Sequence, residues 1–470
     1  MDIGAFERWL ADPSRSQRDK LAMIREQWLE PLASLDESAL LAALRMIRRA
    51  INSKKLRDAR DALLRELRRD GLSGDAPIPR PPEPPPPPTP EVAEATATAP
   101  APDRNPELEA VILADPGARE SYLVYGDWLE GRGHPAGQLV AIQHELNKSP
   151  GDRKMLRAQQ ELLEREGERL LGPLADCDDL LVDVEWFMGF IRSCKVSYTL
   201  ERFNGDRVPD VRVERVLEWL LDDPGPGRFL QHLVVGLVRH DDNNYQGVCD
   251  ALAARPRPAL RSLYLGDFTY EDCELNWSHI GDGSRLWAAV PNLERLTLRS
   301  GRMTLGEISL PALRELTTIT GGLDTDSARA IAVARWPRLE KLSLQYGPEG
   351  TRDFAVIEPI LAGEGFPALR YLGLTNCELT DEICAALPRA AILPRLEVLD
   401  LSMGTMSNEG AAILAAHRDA FRHLKLLDVD DNYLTDEARP LLEGLCEKVL
   451  FGDQRDDGGD PGNRYASAYE

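Results

Sequence analysis

From Leu230 onward the apolar positions fall into a six-residue frame, L-x-x-L-x-L, that occurs eight times. It reads Leu230-x-x-Leu233-x-Val235, Leu260-x-x-Leu263-x-Leu265, Leu293-x-x-Leu296-x-Leu298 and Leu313-x-x-Leu316-x-Thr318. It continues as Leu339-x-x-Leu342-x-Leu344, Leu369-x-x-Leu372-x-Leu374, Leu396-x-x-Leu399-x-Leu401 and Leu424-x-x-Leu427-x-Val429. The intervals between first leucines are 30, 33, 20, 26, 30, 27 and 28 residues, and a proline precedes six of the frames by two positions. Successive side chains of a strand point to opposite faces. The spaced leucines therefore turn one face of a short strand inward, and a returning segment must cover it. The stretches Asp326–Ala332, Asp381–Leu387, Asn408–Leu414 and Asp436–Leu442 read as returning helices with acidic or polar starts. The frame at Leu313 is short, and Thr318 replaces an apolar residue, so a local kink is expected there.

Upstream the rhythm is helical. In residues 1–73, Phe6, Trp9 and Leu10 share a face, and Leu21, Ile24, Trp28 and Leu29 share another. Asp36 would cap a third helix, and Asn52 or Ser53 would start a fourth, giving a small bundle. Residues 74–104 hold the run Pro81–Pro88, broken only by Glu83, followed by an Ala/Thr stretch, and read as a semi-rigid, disordered linker. Residues 105–190 return to helices. Asn105 is the expected cap and Pro106 the first helical residue.

Within that segment, Leu113-Ala114-Asp115-Pro116, Leu123-Val124-Tyr125-Gly126-Asp127-Trp128-Leu129-Glu130, Arg132-Gly133-His134-Pro135 and Gln138-Leu139-Val140 resemble the bacterial repeat-companion domain, a family that accompanies repeat arrays. The chain departs from that motif at Gly126 and Gln138. Trp186–Ile191 resembles the strand that joins the module to its repeats. The eight frames and their helical returns resemble leucine-rich repeats of the ribonuclease-inhibitor type, and Val449–Gly452 with its Asp/Gly sequel resembles the closing segment of bacterial leucine-rich-repeat proteins. The resemblance implies an α/β leucine-rich-repeat solenoid with a parallel concave sheet and convex helices. An all-α companion module and a separate N-terminal helical bundle would precede it. The expected boundaries are 1–73 bundle, 74–104 linker, 105–190 companion module, 191–452 solenoid and 453–470 acidic, Gly-rich, flexible tail.

On such a sheet the x positions around the second leucine face outward. They offer His232, Val234, Ser262 and Tyr264 early, Arg295, Thr297, Arg299, Lys341, Ser343 and Gln345 in the middle, and Tyr371, Glu397, Asp400, Asp428, Asp430 and Asp431 late. The face is expected to run from neutral or aromatic, through basic, to acidic. Tyr264, Arg295, Arg299, Lys341, Gln345, Tyr371, Asp400 and Asp428 are the candidate protein-binding residues.

Charge narrows the partner. The chain of 470 residues carries a net charge of −22, which argues against nucleic acid or an anionic membrane as partner of the whole molecule. Residues 1–73 are the exception, with 15 Lys and Arg against 12 Asp and Glu, and ten basic residues lie between Arg45 and Arg69. That run would serve a second, acidic partner, a nucleic acid or a membrane surface, or be a solvated helix face. Seven cysteines without a C-x-x-C read as reduced thiols, and Cys377 and Cys384 are expected to point inward. With no apolar run long enough for a membrane span and no signal-like start, the expectation is a cytoplasmic protein.

No G-x-x-x-x-G-K-[ST], H-E-x-x-H or G-x-S-x-G motif occurs, so neither catalysis, a metal nor a cofactor is expected. His134 reads as a turn residue, and Asp430-Asp431 as surface acids in preference to a weak Ca²⁺ site. The function expected is that of a protein-binding adaptor or receptor, analogous at fold level to signalling or defence receptors without their NTPase. Two alternatives stand beside it. The linker could be a regulated cleavage site, with Arg80 and Arg104 exposed, or the basic bundle could bind nucleic acid or membrane.

Overall fold

The computed structural model describes residues 104–177, 180–198, 211–222, 225–239 and 243–466, with 6, 20, 22–28, 32 and 47 near the start. The chain divides into two compact units, Met1–Ala99 and Pro100–Glu470. Most of the expected bundle, the basic run Arg45–Arg69, nearly all of the linker and Arg80 lie outside the described residues. In the first unit, Ile24–Trp28 forms one π-helical turn, and the Phe6 and Trp28 rings lie 5.0 Å apart. Phe6, Ile24, Leu32 and Ile47 are fully buried.

The second unit opens with four helices, α1 (Pro106–Ala114), α2 (Arg119–Glu130), α3 (Pro135–Lys148) and α4 (Arg153–Leu171). Their starts follow local chemistry. The Asn105 side chain accepts hydrogen bonds from the Glu107 and Leu108 amides, and the His134 ring nitrogen accepts one from Ala136 N at 3.2 Å, each ahead of a proline at the first helical position. Gly126 lets α2 and α3 close on each other, since a Cβ there would lie 2.8 Å from Val140 Cγ1.

The expectation that 105–190 is all helical is overturned at its end. Strands β1 (Leu181–Phe187) and β2 (Phe190–Ser197) form an antiparallel hairpin, so Trp186–Ile191 is a turn between two strands and not one joining strand. Met188 and Gly189 make that turn with positive φ of 47° and 81°. Only glycine fits at 189, because a Cβ would press on Val140 and the Ala136 carbonyl of α3. Gly189 N donates to Gln143 Oε1 at 2.8 Å, which seats the hairpin on the helices. Tyr122, Tyr125, Phe190 and Phe229 complete the joint as an aromatic cluster with mostly edge-on contacts.

Strand β2 then pairs in parallel with β3 (His232–Val235), and the sheet grows by one strand per frame. Next come β5 (Ser262–Leu265), β7 (Arg295–Arg299), β9 (Glu315–Ile319), β10 (Lys341–Gln345), β11 (Tyr371–Thr375), β12 (Val398–Asp400), β13 (Leu426–Asp428) and β14 (Val449–Leu450). The result is one long sheet, parallel apart from β1, within a mixed α/β unit. Helices α5 (Val213–Leu221), α6 (Gln246–Ala253), α7 (Leu286–Ala289), α8 (Thr325–Ala332), α9 (Glu358–Ala362), α10 (Thr380–Ala386), α11 (Asn408–Ala416) and α12 (Arg439–Leu442) alternate with most of the strands. The frame leucines share one continuous core and are almost completely buried.

Three expectations change here. The Leu313 frame shows no kink: β9 stays in register with β7 and β10 over four or more residues. Its shortness is absorbed on the opposite side, where β8 (Arg302–Thr304) replaces a helix and joins β4 (Asn243–Asn244) and β6 (Ser278–Asp282) in a second, small parallel sheet. The last returning segment is helical only from Arg439, because Pro440 has no amide hydrogen and suits only a first turn. The flexible tail is not met over 453–466. Gln454 Nε2 donates to Val429 O at 3.0 Å, Arg455 pairs with Asp431 at 3.0 Å, and Ala466 is fully buried.

Candidate functional site

The register brings the expected outward positions into two rows. One runs Ser262, Arg295, Glu315, Lys341, Tyr371, Val398; the other runs Tyr264, Thr297, Thr317, Ser343, Gly373, Asp400, Asp428. The rows are mostly half-exposed, whereas the leucines between them are buried. Val398, not Glu397, occupies the row position on β12, since the outward residue must sit next to Leu399; Glu397 instead pairs with Lys425 at 2.6 Å.

Four of the eight candidates form a run across β10 to β13. The Lys341 ammonium lies 4.8 Å from the centre of the Tyr371 ring. The Tyr371 hydroxyl donates to Asp400 Oδ2 at 2.7 Å, and the other oxygen of Asp400 accepts from Ser402 N and Oγ at 3.1 and 2.7 Å. Asp428 stands opposite Asp400 on the next strand, about 4.8 Å away by strand spacing. Burial, with the neighbouring carboxylates Asp400 and Asp430, lifts the Asp428 carboxyl to about 6 against an amide bond from Asp430 and the charge of Lys448, which lower it. Burial first, and then Asp400, pushes the Tyr371 phenol up, so it stays a hydrogen-bond donor.

The other candidates lie apart. Tyr264 is half-buried near Asp267, which itself pairs with Lys195 at 2.6 Å. Arg299 packs over the Phe268 ring at 5.3 Å, and Arg295 is exposed opposite Glu315. Gln345 is buried, in register with the equally buried Thr375 of β11, and leaves the set of surface candidates. Arg104 is half-exposed. Its guanidinium bonds the Glu109 carboxylate, which is itself buried and also accepts from Tyr125 OH at 2.5 Å and Arg228 Nη1 at 3.1 Å.

The expected neutral-to-basic-to-acidic gradient is therefore interrupted. Glu315 divides the basic middle, and Lys195 with Asp267 charges the early end. The leucine frame could not reveal Asp267, which follows β5 in the turn beyond the ladder. The frame also missed Asn432. Its buried amide nitrogen donates to Leu401 O and Val429 O at 2.9 and 3.1 Å, and its oxygen accepts from Met406 N at 2.9 Å, stitching two successive turns together. A buried asparagine three residues after the last frame position would have been the signal. Cys377 and Cys384 are fully buried and unpaired, with burial lifting the Cys377 thiol to about 12. Among the described residues, no three of His, Cys, Asp and Glu are placed to share a metal ion, and no helix is long and apolar enough to cross a membrane.

No family model matches the chain, and no curated protein does. Among solved structures, it is similar to a Bacteroides fragilis protein determined by the Northeast Structural Genomics Consortium, with 24% identity and a TM-score of 0.50, covering 64% of this chain and 84% of that one. At that identity the likeness speaks for the fold alone.

Proposed function

We propose that the long sheet and its helices are a leucine-rich-repeat solenoid of the ribonuclease-inhibitor type, entered through a repeat-companion module, and that the chain is a cytoplasmic adaptor or receptor that binds a protein on the concave face. The observation that carries this reading is the run Lys341–Tyr371–Asp400–Asp428, in which two acids on adjacent strands have no ion pair among the described residues. Such a place favours a basic segment of a partner, anchored beside an aromatic ring that already accepts a cation on its face. In this reading the N-terminal unit, with its basic run, relays recognition to a second partner. Cleavage after Arg104 is disfavoured by its bonds to Glu109.

The test uses the full chain to select ligands from a displayed peptide library. Selected peptides should be rich in Lys and Arg, and the double variant D400N/D428N should weaken them about tenfold or more, which corresponds to about 1.4 kcal/mol. Ligands without basic residues, or binding indifferent to that variant, would refute the proposal.

A further inference from the structure

A second feature lies away from the polar rows, where α1, the Gly225–Leu230 segment before β3 and the Arg255–Leu260 segment before β5 meet. They enclose a cavity of about 180 Å³, room for about six waters at roughly 30 Å³ each. Four arginines line it: Arg104, Arg228, Arg255 and Arg257. Leucines such as Leu113 and Leu252 supply much of the rest of its wall.

The arginines are held in different ways. Arg228 reaches Glu109 through Nη1, and Arg257 reaches Asp222 Oδ1 at 2.9 Å and the Leu221 carbonyl at 3.0 Å. Both nonetheless keep a buried Nε with no hydrogen-bond partner, and nine-tenths of the Arg257 side chain is buried. The four guanidinium groups meet two carboxylates among the described residues, so the lining carries an excess of positive charge that an anion would answer. Arg255 is exposed and has no ion pair among the described residues. Among the described residues, the carboxylates that answer the group are Glu109, shared by Arg104 and Arg228, and Asp222.

We infer that this cavity is an anion-binding site, and that its ligand is a carboxylate on a short apolar body. The guanidinium fork matches a carboxylate with two parallel hydrogen bonds. The leucine wall then accepts a hydrocarbon stem that a bare inorganic oxyanion lacks. The site sits at the junction of the helical module with the first strands, so an occupant would brace α1 against the start of the sheet.

Calorimetry and thermal unfolding of the full chain with pentanoate, pentanamide and inorganic phosphate test this. Pentanoate should bind saturably with one site and raise the unfolding midpoint. Pentanamide should do neither, and phosphate should bind about tenfold more weakly for want of a contact with the apolar wall. Arg255→Gln removes a charge that has no ion pair among the described residues, so it should leave the unliganded midpoint unchanged while weakening pentanoate about tenfold, as expected for one lost charge-assisted contact. Leu113→Trp, which fills the cavity from a half-exposed position, should abolish pentanoate binding. Absence of saturable pentanoate binding, phosphate binding as tight as pentanoate, or affinity unchanged in both variants would overturn the inference.

Discussion

On the early strands, several charges near the polar rows stand beside an opposite one, though Arg299 packs instead over the Phe268 ring. Lys195 pairs with Asp267 at 2.6 Å, Arg261 with Glu294 at 3.6 Å and Arg314 with Glu340 at 2.6 Å, while Arg295 faces Glu315 in register. On β12 and β13 the two row carboxylates, Asp400 and Asp428, face each other, and the groups bonded to them are a phenol, a serine and an amide. The cation nearest in the run, Lys341, sits on the Tyr371 ring and not on a carboxylate. The apolar ladder beneath is the same at both ends. The difference therefore lies in surface chemistry laid on a uniform scaffold, and it leaves Asp400 and Asp428 as row carboxylates without an ion pair among the described residues, while Glu397 and Asp431 beside them are paired with Lys425 and Arg455.

That distinction fails if the scaffold is not uniform. Leu263 under the early rows and Leu399 under the late ones are both almost fully buried. Leu263→Ala and Leu399→Ala should each cost about 2–5 kcal/mol, the range for a leucine truncated in a tight core, and should agree within about 1 kcal/mol in chemical denaturation. A late-end cost far below the early one would mean that the late repeats are loosely packed, and the comparison would lose its basis.

The next effect should be smaller and should separate the ends. Asn432 spans two successive turns through Leu401 O, Val429 O and Met406 N, whereas the partners of the Asn243 side chain among the described residues are nearby groups, Val238 N and Tyr245 OH. Asn432→Ala should cost about 3 kcal/mol and Asn243→Ala about 1 kcal/mol less, since each strands buried backbone groups or a phenol without a partner. Equal losses in equilibrium unfolding would show that the late turns are no more interlocked than the early ones.

The frame leucines made the order and parallel direction of the strands legible, because burial of every second or third side chain is a one-dimensional pattern. What stayed hidden depends on contacts between residues far apart in the chain. The hairpin at Met188–Gly189 needs Gln143 and Val140 from α3, and the tail is held by partners such as Val429 and Asp431. In the sequence Tyr371 and Asp400 are separate surface positions, and only the folded register brings them into a hydrogen bond. Asp428 was picked as a charge, while its proximity to Asp400 and its burial change what kind of charge it is.

Asp428 yields a pH signature. Its carboxyl titrates near 6 in the folded chain against the ordinary 3.8, so between those values the folded state holds a proton that the unfolded chain has lost. Stability from this group is full below the ordinary value and is lost as pH rises through about 6. Asp428→Asn should remove that loss and raise stability at pH 7 by no more than about 1 kcal/mol, discounted because the half-buried carboxyl is partly screened by water. A basic peptide should bind more tightly as pH rises from 5 to 7, and the variant should flatten that slope. A slope that survives in Asp428→Asn would place the titrating group elsewhere.

The smallest effect concerns Lys341. Its ammonium lies over the Tyr371 ring at 4.8 Å and is half-exposed, so the contact is worth about 0.5–1 kcal/mol. Lys341→Met keeps most of the stem's packing and removes the charge, and Lys341→Arg keeps both. The methionine variant should lose less than about 1 kcal/mol, as expected for an exposed cation on a ring, and the arginine variant should lose nothing measurable. If the contact also shields the late acids from a partner's cation, Lys341→Met should tighten basic peptides slightly, because an incoming lysine can then take the vacated ring face. A stability loss above about 2 kcal/mol would instead make the lysine part of the fold, in which case the late end, like the early one, would be answering its charges from within.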